Sequence, residues 1–392
     1  MNKLALTIFA TTLIAAGCAD QPPAGLVAEP STTPAIHLPD DMLMLWQVEP
    51  ALSTKRPNEV PTGTRLAIIP HHLVAMREIV SLFASWPSPK PKTVYLLSPD
   101  HFSNGRTSFA TMVNDFEYAN GRVMNAPALT RTLAESVAGV SVDSRVIVRE
   151  HGIGALIPLF DKTMTETRII PITVRIDAQS AELVELSSFL AEQLEDPDVA
   201  VIASIDMSHY LPAEFADLHD AYTTDIIRLL DAERSHMAEI DSPGSLFVIL
   251  DLARRLALGD VRIHAHTNSL RLLNALVTDE GTSHILATFS PGSSVTERSN
   301  EAILFAPFGI PTLENRLYYG QDGIRPTLEG FPNVAVSIVR NNDGTRIIGI
   351  VPLTDAGIYK KIMPREQRLK LVETWKQDGT WAAIVKQLEK QL

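Results

Sequence analysis

Four apolar runs of the chain each end at a histidine. The runs are Leu66–His72, Thr93–His101, Val146–His151 and Val201–Tyr210, and the last of them also carries Asp206, Ser208 and His209. An aliphatic or β-branched run that stops at polar residues is typical of a buried strand, and open α/β sheets place their ligand sites at the carboxyl ends of such strands. One histidine after a strand is usually a structural residue, but four at corresponding positions predict side chains that converge on one site.

Converging histidines predict a metal site. Neutral imidazole is a common ligand of borderline transition metals, and two or three imidazoles with a carboxylate leave positions open for substrate or dioxygen. The best candidate ligands end three of the runs and are His71, His101 and His209. His72 is adjacent to His71 and either imidazole could point inward, although the Pro70-His71 step favours His71.

Two carboxylates and a fourth histidine accompany these candidates. Glu150 and His151 close the third run and are candidates for a carboxylate ligand or a general base. Asp206 lies three residues before His209 and is a candidate ligand, or an acceptor that fixes a histidine tautomer. We therefore predict His151, Glu150 and Asp206 as the catalytic residues.

The remaining histidines have weaker contexts. His264 and His266 alternate along a strand-like segment, so we expect both to face the same side, in a structural role or behind the site. The others lie in linker, helix or loop contexts and are expected at the surface: His37, His219, His236 and His284.

Cysteine content and charge exclude several kinds of site and partner. Cys18 is the only cysteine, so the chain has no intrachain disulfide and no thiolate metal site, and a metal must bind histidine, carboxylate or hydroxyl oxygen. The formal net charge of -12 argues against a nucleic-acid partner, which requires a basic surface. The chain has no GxGxxG after a strand and no Walker lysine loop, so a nucleotide cofactor has no support.

The first residues resemble a bacterial lipoprotein signal. Met1-Asn2-Lys3 precede the apolar run Leu4–Ala16, and Ala15-Ala16-Gly17-Cys18 resembles a lipobox. This resemblance implies cleavage before Cys18 and a lipid such as palmitate on Cys18. The protein would then be a lipid-anchored membrane protein of the bacterial cell envelope, on the periplasmic face or the outer surface. The alternative is an ordinary secretory signal with an incidental cysteine.

From Arg65 onward, strand-like and helix-like segments alternate. This alternation predicts an α/β fold with a mostly parallel or mixed central sheet covered by helices on both faces. The predicted strands are Leu66–Pro70, Thr93–Ser98, Arg145–Arg149, Arg168–Val174, Ala200–Ile205, Val261–Ala265 and Ile285–Phe289. The predicted helices are Ala181–Leu194, Ala213–Leu230 and Ser245–Leu258.

The pattern changes after about Pro307. A hairpin is predicted from Val334–Val339 and Arg346–Val351, followed by a helical segment, Arg365–Leu392, broken near Asp378-Gly379. We therefore predict a signal peptide at 1–18, a Pro-rich tether at 19–62, an α/β domain at 63–306, and a small C-terminal β-plus-helix appendage at 307–392. The appendage is a candidate surface for a protein partner.

Four short motifs follow one another in a recognisable order. They are Pro70-His71, Ser98-Pro99-Asp100-His101, Glu150-His151-Gly152-Ile153 followed by Pro158, and Ser204–Tyr210. In this order they resemble the Memo family, called AmmeMemoRadiSam system protein B in bacteria, from about Arg65 to Pro291. The resemblance implies a fold similar to the class III extradiol dioxygenases (LigB-like) and a metal site on His71, His101 and His209. It also implies a redox metal, iron or copper.

Several positions depart from the family's pattern. The family usually has His-Ala-Gly where this chain has His71-His72-Leu73. A second Glu and a second His of its third motif correspond to Gly154 and Leu156, and a common cysteine falls on Pro243. The expected ligand positions are therefore kept, whereas several pocket residues are not.

Two kinds of function are compatible with these residues. The first is a redox enzyme with a non-haem iron or copper site, acting on a small-molecule substrate or dioxygen, in which His151 or Glu150 moves protons. A zinc-dependent hydrolase would use the same histidines. The second is a non-catalytic metal-binding or scaffold lipoprotein, which the loss of polar residues at Gly154 and Leu156 favours.

Overall fold

The computed structural model describes thirteen stretches of the chain. They are residues 33–39, 50–51, 59–211, 213–275, 281–295, 305–307, 319–320, 323–324, 330–331, 334–340, 346–354, 361–362 and 365–391. The predicted signal peptide and the predicted lipidation site, Cys18, therefore lie outside the described residues. No helix within these stretches is both long enough and apolar enough to cross a membrane.

Strands and helices alternate through the larger part of the chain, as predicted. The strands are β1 (Ala35–His37), β2 (Leu66–Ile69), β3 (Thr93–Pro99), β4 (Phe109–Thr111), β5 (Asp115–Tyr118), β6 (Gly121–Val123), β7 (Val140–Val142), β8 (Arg168–Val174), β9 (Val199–Ser204), β10 (Asp260–Asn268) and β11 (Ser283–Ser290). The helices are α1 (Met76–Ser85), α2 (Pro127–Ser136), α3 (Ser144–Ile147), α4 (His151–Gly154), α5 (Ile157–Thr163), α6 (Ser180–Gln193), α7 (Ala213–Leu229), α8 (Pro243–Arg255) and α9 (Ser269–Leu272).

Eight of these strands form one mixed sheet in the order β10-β11-β2-β9-β3-β8-β4-β7. Its centre is parallel, since β2 pairs with β9, β9 with β3, and β3 with β8 in the same direction. The antiparallel strands lie towards the edges, where β11 pairs with β2 and β4 with β8. The predicted α/β fold is confirmed, and the carboxyl ends of the four parallel strands lie at one edge of the sheet.

Both faces of the central sheet are buried. Along β2, Leu66 and Ile68 belong to one apolar cluster, whereas Ala67 and Ile69 belong to the other. Successive side chains of a strand point to opposite faces, so the two clusters are the cores above and below the sheet. Residues of α6 and α8 contribute to the first core and residues of α1 and α5 to the second. This two-sided burial explains the nearly continuous apolar runs in the sequence.

The predicted strand Arg145–Arg149 is wrong, because this segment is helical. Asp143 caps α3 by accepting a hydrogen bond from the backbone N–H of Arg145 at 3.1 Å. Glu150 then caps α4 by accepting from the backbone N–H of Gly152 at 2.9 Å. Two acidic caps start two short helical turns here, and these local hydrogen bonds override the β-branched composition of the run.

Three predictions about the remaining histidines are also wrong. His219 and His284 are buried rather than at the surface. His264 and His266 do not share a face, because the pairing of β10 with β11 shifts between Ile263 and Ala265. Such a bulge inserts one residue and breaks the alternation of side chains. Accordingly, His264 contacts Thr288 and His266 contacts Asp220 of α7.

The C-terminal part contains the predicted hairpin and helices. Its strands are β12 (Phe305–Pro307), β13 (Tyr319–Gly320), β14 (Gly323–Ile324), β15 (Val334–Arg340), β16 (Arg346–Thr354) and β17 (Lys361–Ile362), and β15 pairs antiparallel with β16. The helices α10 (Arg365–Asp378) and α11 (Thr380–Gln391) are separated at Gly379, whose φ of 83° favours glycine. Val334, Trp375 and Ile384 belong to the same apolar cluster as α6 and α8.

One strand also forms inside the segment predicted as a tether. β1 pairs in parallel with β5, which pairs in turn with β6. Leu38, directly after β1, is fully buried. The proposed boundary between a tether at 19–62 and the α/β domain stays a prediction.

Candidate metal centre

Three neighbouring parallel strands bring the predicted site residues to one edge of the sheet. β9 lies between β2 and β3, so the residues that follow these strands are adjacent in space. His71 lies two residues beyond β2, Asp206 two residues beyond β9, and His101 two residues beyond β3. The geometry of the sheet, rather than proximity in sequence, assembles the candidate site.

His71 is held with one ring nitrogen directed into the site. Oγ of Ser204 donates to the carbonyl oxygen of Gly152 at 2.6 Å, so its single hydrogen is used there. Nδ1 of His71 lies 3.0 Å from the same Oγ and must be the donor of that hydrogen bond. The lone pair of neutral His71 is therefore on Nε2, which lies 3.2 Å from Oδ2 of Asp241 and 3.5 Å from Oδ2 of Asp206.

Glu150 holds His101 in the equivalent orientation. Nδ1 of His101 lies 2.6 Å from Oε1 of Glu150, and the backbone N–H of His101 donates to Oε2 at 3.0 Å. Nε2 of His101 then faces the site, 3.5 Å from Oδ2 of Asp241. A carboxylate behind a ligating histidine is the usual device that fixes its tautomer and raises its basicity.

The same contacts change the protonation of His101. Burial alone would lower its pKa, but hydrogen bonds to Asp241 and Glu150 and their negative charges outweigh burial and raise the pKa of His101 to about 10. The pKa of Glu150 is lowered, since its interactions with His101 and two backbone N–H groups outweigh the effect of burial. A metal at Nε2 of His101 would therefore replace a proton, as expected where cations and protons compete for one ligand.

Two carboxylates complete this cluster, and the side chains of both are mostly shielded from solvent. Oδ1 of Asp206 accepts hydrogen bonds from the backbone N–H groups of His71 at 3.0 Å and His72 at 3.3 Å. Both oxygens of Asp241 lie 3.2 Å from the backbone N of Asp206, which donates to them. Interactions with His71 and other nearby histidines outweigh burial and lower the pKa of Asp206, so this carboxyl group is ionised.

These donor atoms fit a metal ion. His71, Asp206 and Asp241 form one group whose donor atoms all lie within 4.8 Å of one another, and His71, His101 and His151 form a second. Nitrogen and oxygen ligands bind first-row metals at about 2.0–2.2 Å, which places neighbouring tetrahedral ligands about 3.4 Å apart. The separations of 3.2 and 3.5 Å from Oδ2 of Asp241 to the two Nε2 atoms match this spacing. The protein therefore contains a candidate His/Asp site for a transition metal.

Sequence reasoning missed Asp241. This residue lies in the loop before α8, not at the end of a strand, so the pattern that found the histidines does not apply to it. Its neighbours Ser242-Pro243-Gly244 indicate only a helix start. One signal was available: Asp241 lies two residues before Pro243, the position at which the resembled family often has cysteine.

His151 lies over the ring of His101. The two imidazoles are stacked with their centroids 3.9 Å apart, and the side chain of His151 is 44% exposed. Burial, followed by the electrostatic effect of the neighbouring His101 and His71, lowers the pKa of His151 to about 4. His151 is therefore neutral at physiological pH and can accept a proton.

The approach of α4 to the site depends on glycine at position 152. A Cβ atom there would lie 2.3 Å from Oγ of Ser98 and 3.4 Å from Nδ1 of His71. Glycine permits this close approach of the backbone to the two strand ends. It thereby places Glu150 and His151 against His101.

An open cavity of about 630 Å³ gives access to the cluster. His71, His101, His151, Asp206 and Asp241 line it, and so does His209. His209 does not belong to either group of closely spaced donor atoms found among the described residues. Its role as third ligand stays a prediction.

His72 faces away from this cluster. Its Nδ1 lies 3.0 Å from Nε2 of the buried His284. Burial lowers the pKa of His284 to about 4 and also lowers the pKa of His72. The two form a pair of neutral imidazoles near Asp206, and His71 is the histidine of this dipeptide that enters the cavity, as predicted.

The sequence matches known proteins over its central part. A model of Memo-like proteins matches residues 43–272, which is more than half of the chain. Relatives named MEMO1 family protein are 28% identical over 150 residues in Nitrosopumilus maritimus, 25% over 190 residues in Pyrobaculum arsenaticum, and 30% over 144 residues in Thermotoga maritima. These matches cover 38%, 46% and 36% of this chain and 54%, 66% and 51% of the relatives. The chain thus spans about half to two thirds of the length of these relatives.

The structure is also similar to a solved one. The crystal structure of an uncharacterized protein from Escherichia coli K12 aligns with a TM-score of 0.39 and 14% sequence identity. The alignment covers 57% of this chain and 99% of that chain.

Proposed function

The chain belongs to the Memo-like protein family, and we propose that it is a redox enzyme with a mononuclear non-haem iron site, anchored at the bacterial cell envelope. The observation that carries the proposal is the approach of two imidazole nitrogens to one carboxylate oxygen: Nε2 of His71 lies 3.2 Å and Nε2 of His101 lies 3.5 Å from Oδ2 of Asp241. Two imidazoles and a carboxylate with open positions are the ligand set of many non-haem iron oxygenases.

The donors favour Fe(II) over Cu(I). They are imidazole nitrogen and carboxylate oxygen, and the only cysteine of the chain lies at position 18, before the matched region. Cu(I) prefers soft sulfur ligands, whereas mixed nitrogen and oxygen donors suit Fe(II), Zn(II) and Cu(II). Iron, when bound, would supply a Lewis acid and a one-electron carrier at the floor of the cavity.

The surrounding side chains would orient the substrate and move protons. Ser204 fixes the ring of His71 and Glu150 fixes the ring of His101, so the site is organised before the metal or substrate binds. His151, neutral and partly exposed, is the proposed base that accepts a proton from the bound substrate. His209 lies on the cavity wall, where it would contact the substrate or complete the ligand set.

Metal analysis of anaerobically purified protein tests this proposal. We expect about one iron per chain in the wild type and loss of most of it in His71→Ala and His101→Ala. His236→Ala, at an exposed histidine, is the matched control and should retain the metal. Wild-type protein without stoichiometric metal, or metal retained in both site variants, would contradict the proposal.

A zinc-dependent hydrolase is the second candidate. The same donors bind zinc, and a neutral His151 beside the metal would serve equally well as a base towards water. The two candidates differ in the metal that co-purifies and in oxygen consumption. Zinc with no oxygen uptake favours the hydrolase, whereas iron with substrate-dependent oxygen uptake favours the redox enzyme.

The proposed location rests on the N-terminal sequence. The apolar run Leu4–Ala16 followed by Gly17-Cys18 supports cleavage and lipidation at Cys18. Mass spectrometry of the mature protein should find a diacylglyceryl-modified N-terminal cysteine, and Cys18→Ser should release the protein from the membrane fraction. An unmodified Cys18 in the mature chain would contradict lipid anchoring.

A further inference from the structure

We infer that the cavity takes a neutral or cationic organic ligand with an apolar body and rejects anionic ligands. The inference rests on the proposed function only in treating the cavity as the place where the substrate binds. It is carried by the charges and the apolar groups that line the cavity.

The walls of the cavity carry negative charge. Asp100, Asp206, Glu239 and Asp241 line it, and no lysine or arginine is found among the described lining residues. Glu150 adds a fifth carboxylate directly behind His101. A divalent metal on the donors would offset only two of these charges, and the proton that it would replace on His101 offsets only one. Charges of one sign that line a cleft attract ligands of the opposite sign and repel ligands of the same sign.

Nearby cationic groups are engaged by other partners. Arg175 lies between the lining residues Val174 and Ile176, but its Nε and Nη2 donate to Asp177 at 2.8 Å and its Nη1 to the carbonyl oxygen of Gly105 at 2.7 Å. The lining residue Glu239 contacts the imidazole of the buried His219. Asp100 accepts hydrogen bonds from the backbone N–H groups of Asn104 and Gly105, so these donors hold it in place without cancelling its charge.

Apolar and aromatic side chains surround the charged floor. Val174, Ile176, Ile240 and Pro243 line the cavity. Tyr210 also lines it, although its side chain is 76% exposed. The backbone of Tyr210 has φ of 55°, which is rare for a bulky aromatic residue and places its ring beside His209. An exposed aromatic ring next to carboxylates favours an organic cation, since the ring face itself attracts positive charge.

Three probes of similar shape and different charge test the inference. They are benzyltrimethylammonium, benzyl alcohol and benzenesulfonate. Neither ion is a strong metal ligand, so their relative affinities report the charge of the cavity rather than coordination. We would measure binding by calorimetry to full-length protein in metal-loaded and chelator-treated forms, with probe up to about 10 mM.

Benzyltrimethylammonium should bind about tenfold more tightly than benzenesulfonate in both forms, which corresponds to about 1.4 kcal/mol, and benzyl alcohol should lie between them. Glu239→Gln should reduce this preference about threefold or more, because it removes one lining charge and keeps the shape of the side chain. Glu135→Gln, at an exposed position of α2, is the matched control and should leave the preference unchanged. Tyr210→Ala should weaken binding of the cation.

Benzenesulfonate binding as tightly as the cation, no binding of any probe, or a preference unaffected by Glu239→Gln would each overturn the inference. The metal content of the same samples is measured separately. A cation preference in protein that holds no metal would refute the proposed enzyme and leave the inference standing. An anion preference in protein with stoichiometric iron would refute the inference and leave the proposed enzyme standing.

Discussion

Asp241→Asn is the most direct test of the candidate metal centre. The substitution removes the charge of a carboxylate whose Oδ2 lies 3.2 Å from Nε2 of His71 and 3.5 Å from Nε2 of His101. The side chain of asparagine retains one oxygen that can accept from the backbone N–H of Asp206, so the loop before α8 keeps its anchor. We therefore expect a folded protein with an impaired metal site.

The size of the effect follows from the position of Asp241. Removing a group that only supports a metal ligand typically costs about 10–100-fold in metal affinity. Because Asp241 lies at ligand distance from both imidazoles, the loss should reach at least about 100-fold, or about 2.7 kcal/mol. The substitution also removes one of the two carboxylates that raise the pKa of His101, so that pKa should fall towards its ordinary value.

Competition with a chromogenic chelator measures the metal affinity, and NMR titration of the imidazole signals measures the pKa of His101. Asp198→Asn is the matched control, because Asp198 lies just before β9, at the opposite end of that strand from Asp206. His209→Ala tests the alternative third ligand. Metal affinity unchanged in Asp241→Asn and reduced about 100-fold in His209→Ala would refute the assignment of Asp241 and favour the three-histidine site.

Three other changes have defined outcomes. Glu150→Gln should lower the pKa of His101 and weaken metal binding about 10–100-fold, as measured by NMR titration and chelator competition. Gly152→Ala should destabilise the protein by about 1–3 kcal/mol in denaturant unfolding, because the new Cβ would lie 2.3 Å from the serine hydroxyl of β3; unchanged stability would contradict the close approach. His266→Gln should cost about 1 kcal/mol near pH 5.5 and less near pH 9. Burial alone would lower the pKa of His266, but its hydrogen bond to Asp220 outweighs burial and raises that pKa. The stabilisation is therefore full below the unfolded-state pKa of about 6.5 and is lost as the pH rises through the folded-state pKa. An equal loss of stability in His266→Gln at both pH values would contradict the charged hydrogen bond between His266 and Asp220.

The sequence predicted the sheet and most of the residues at its edge. Parallel strands buried on both faces need continuous apolar runs, and the polar residues that end such runs must lie at the carboxyl edge. This rule located His71, His101 and Asp206. Apolar residues at helical spacing predicted α6, α7 and α8 to within about three residues at each end, as is usual for helix termini.

The rest depended on interactions that a pattern of apolar residues does not encode. Glu150 and His151 enter the site from a helix start, because a local cap outweighed β-propensity at the end of their run. Asp241 reaches the site through a loop, where no periodicity constrains the side chain. His284 is buried by the sheet, since β11 is covered on both faces. These positions are set by tertiary contacts between distant segments, which a single sequence does not reveal.

Glu150 caps α4 with the same carboxylate that holds His101. A helix of four residues has too few internal hydrogen bonds to persist alone, so α4 depends on this cap and on its packing. Opening of α4 would release His101 and remove His151 in a single event, and an ion bound at His101 would in turn suppress that opening. Amide hydrogen exchange at residues 152–155 should therefore slow when metal is bound, which makes this short helix a natural reporter of metal occupancy.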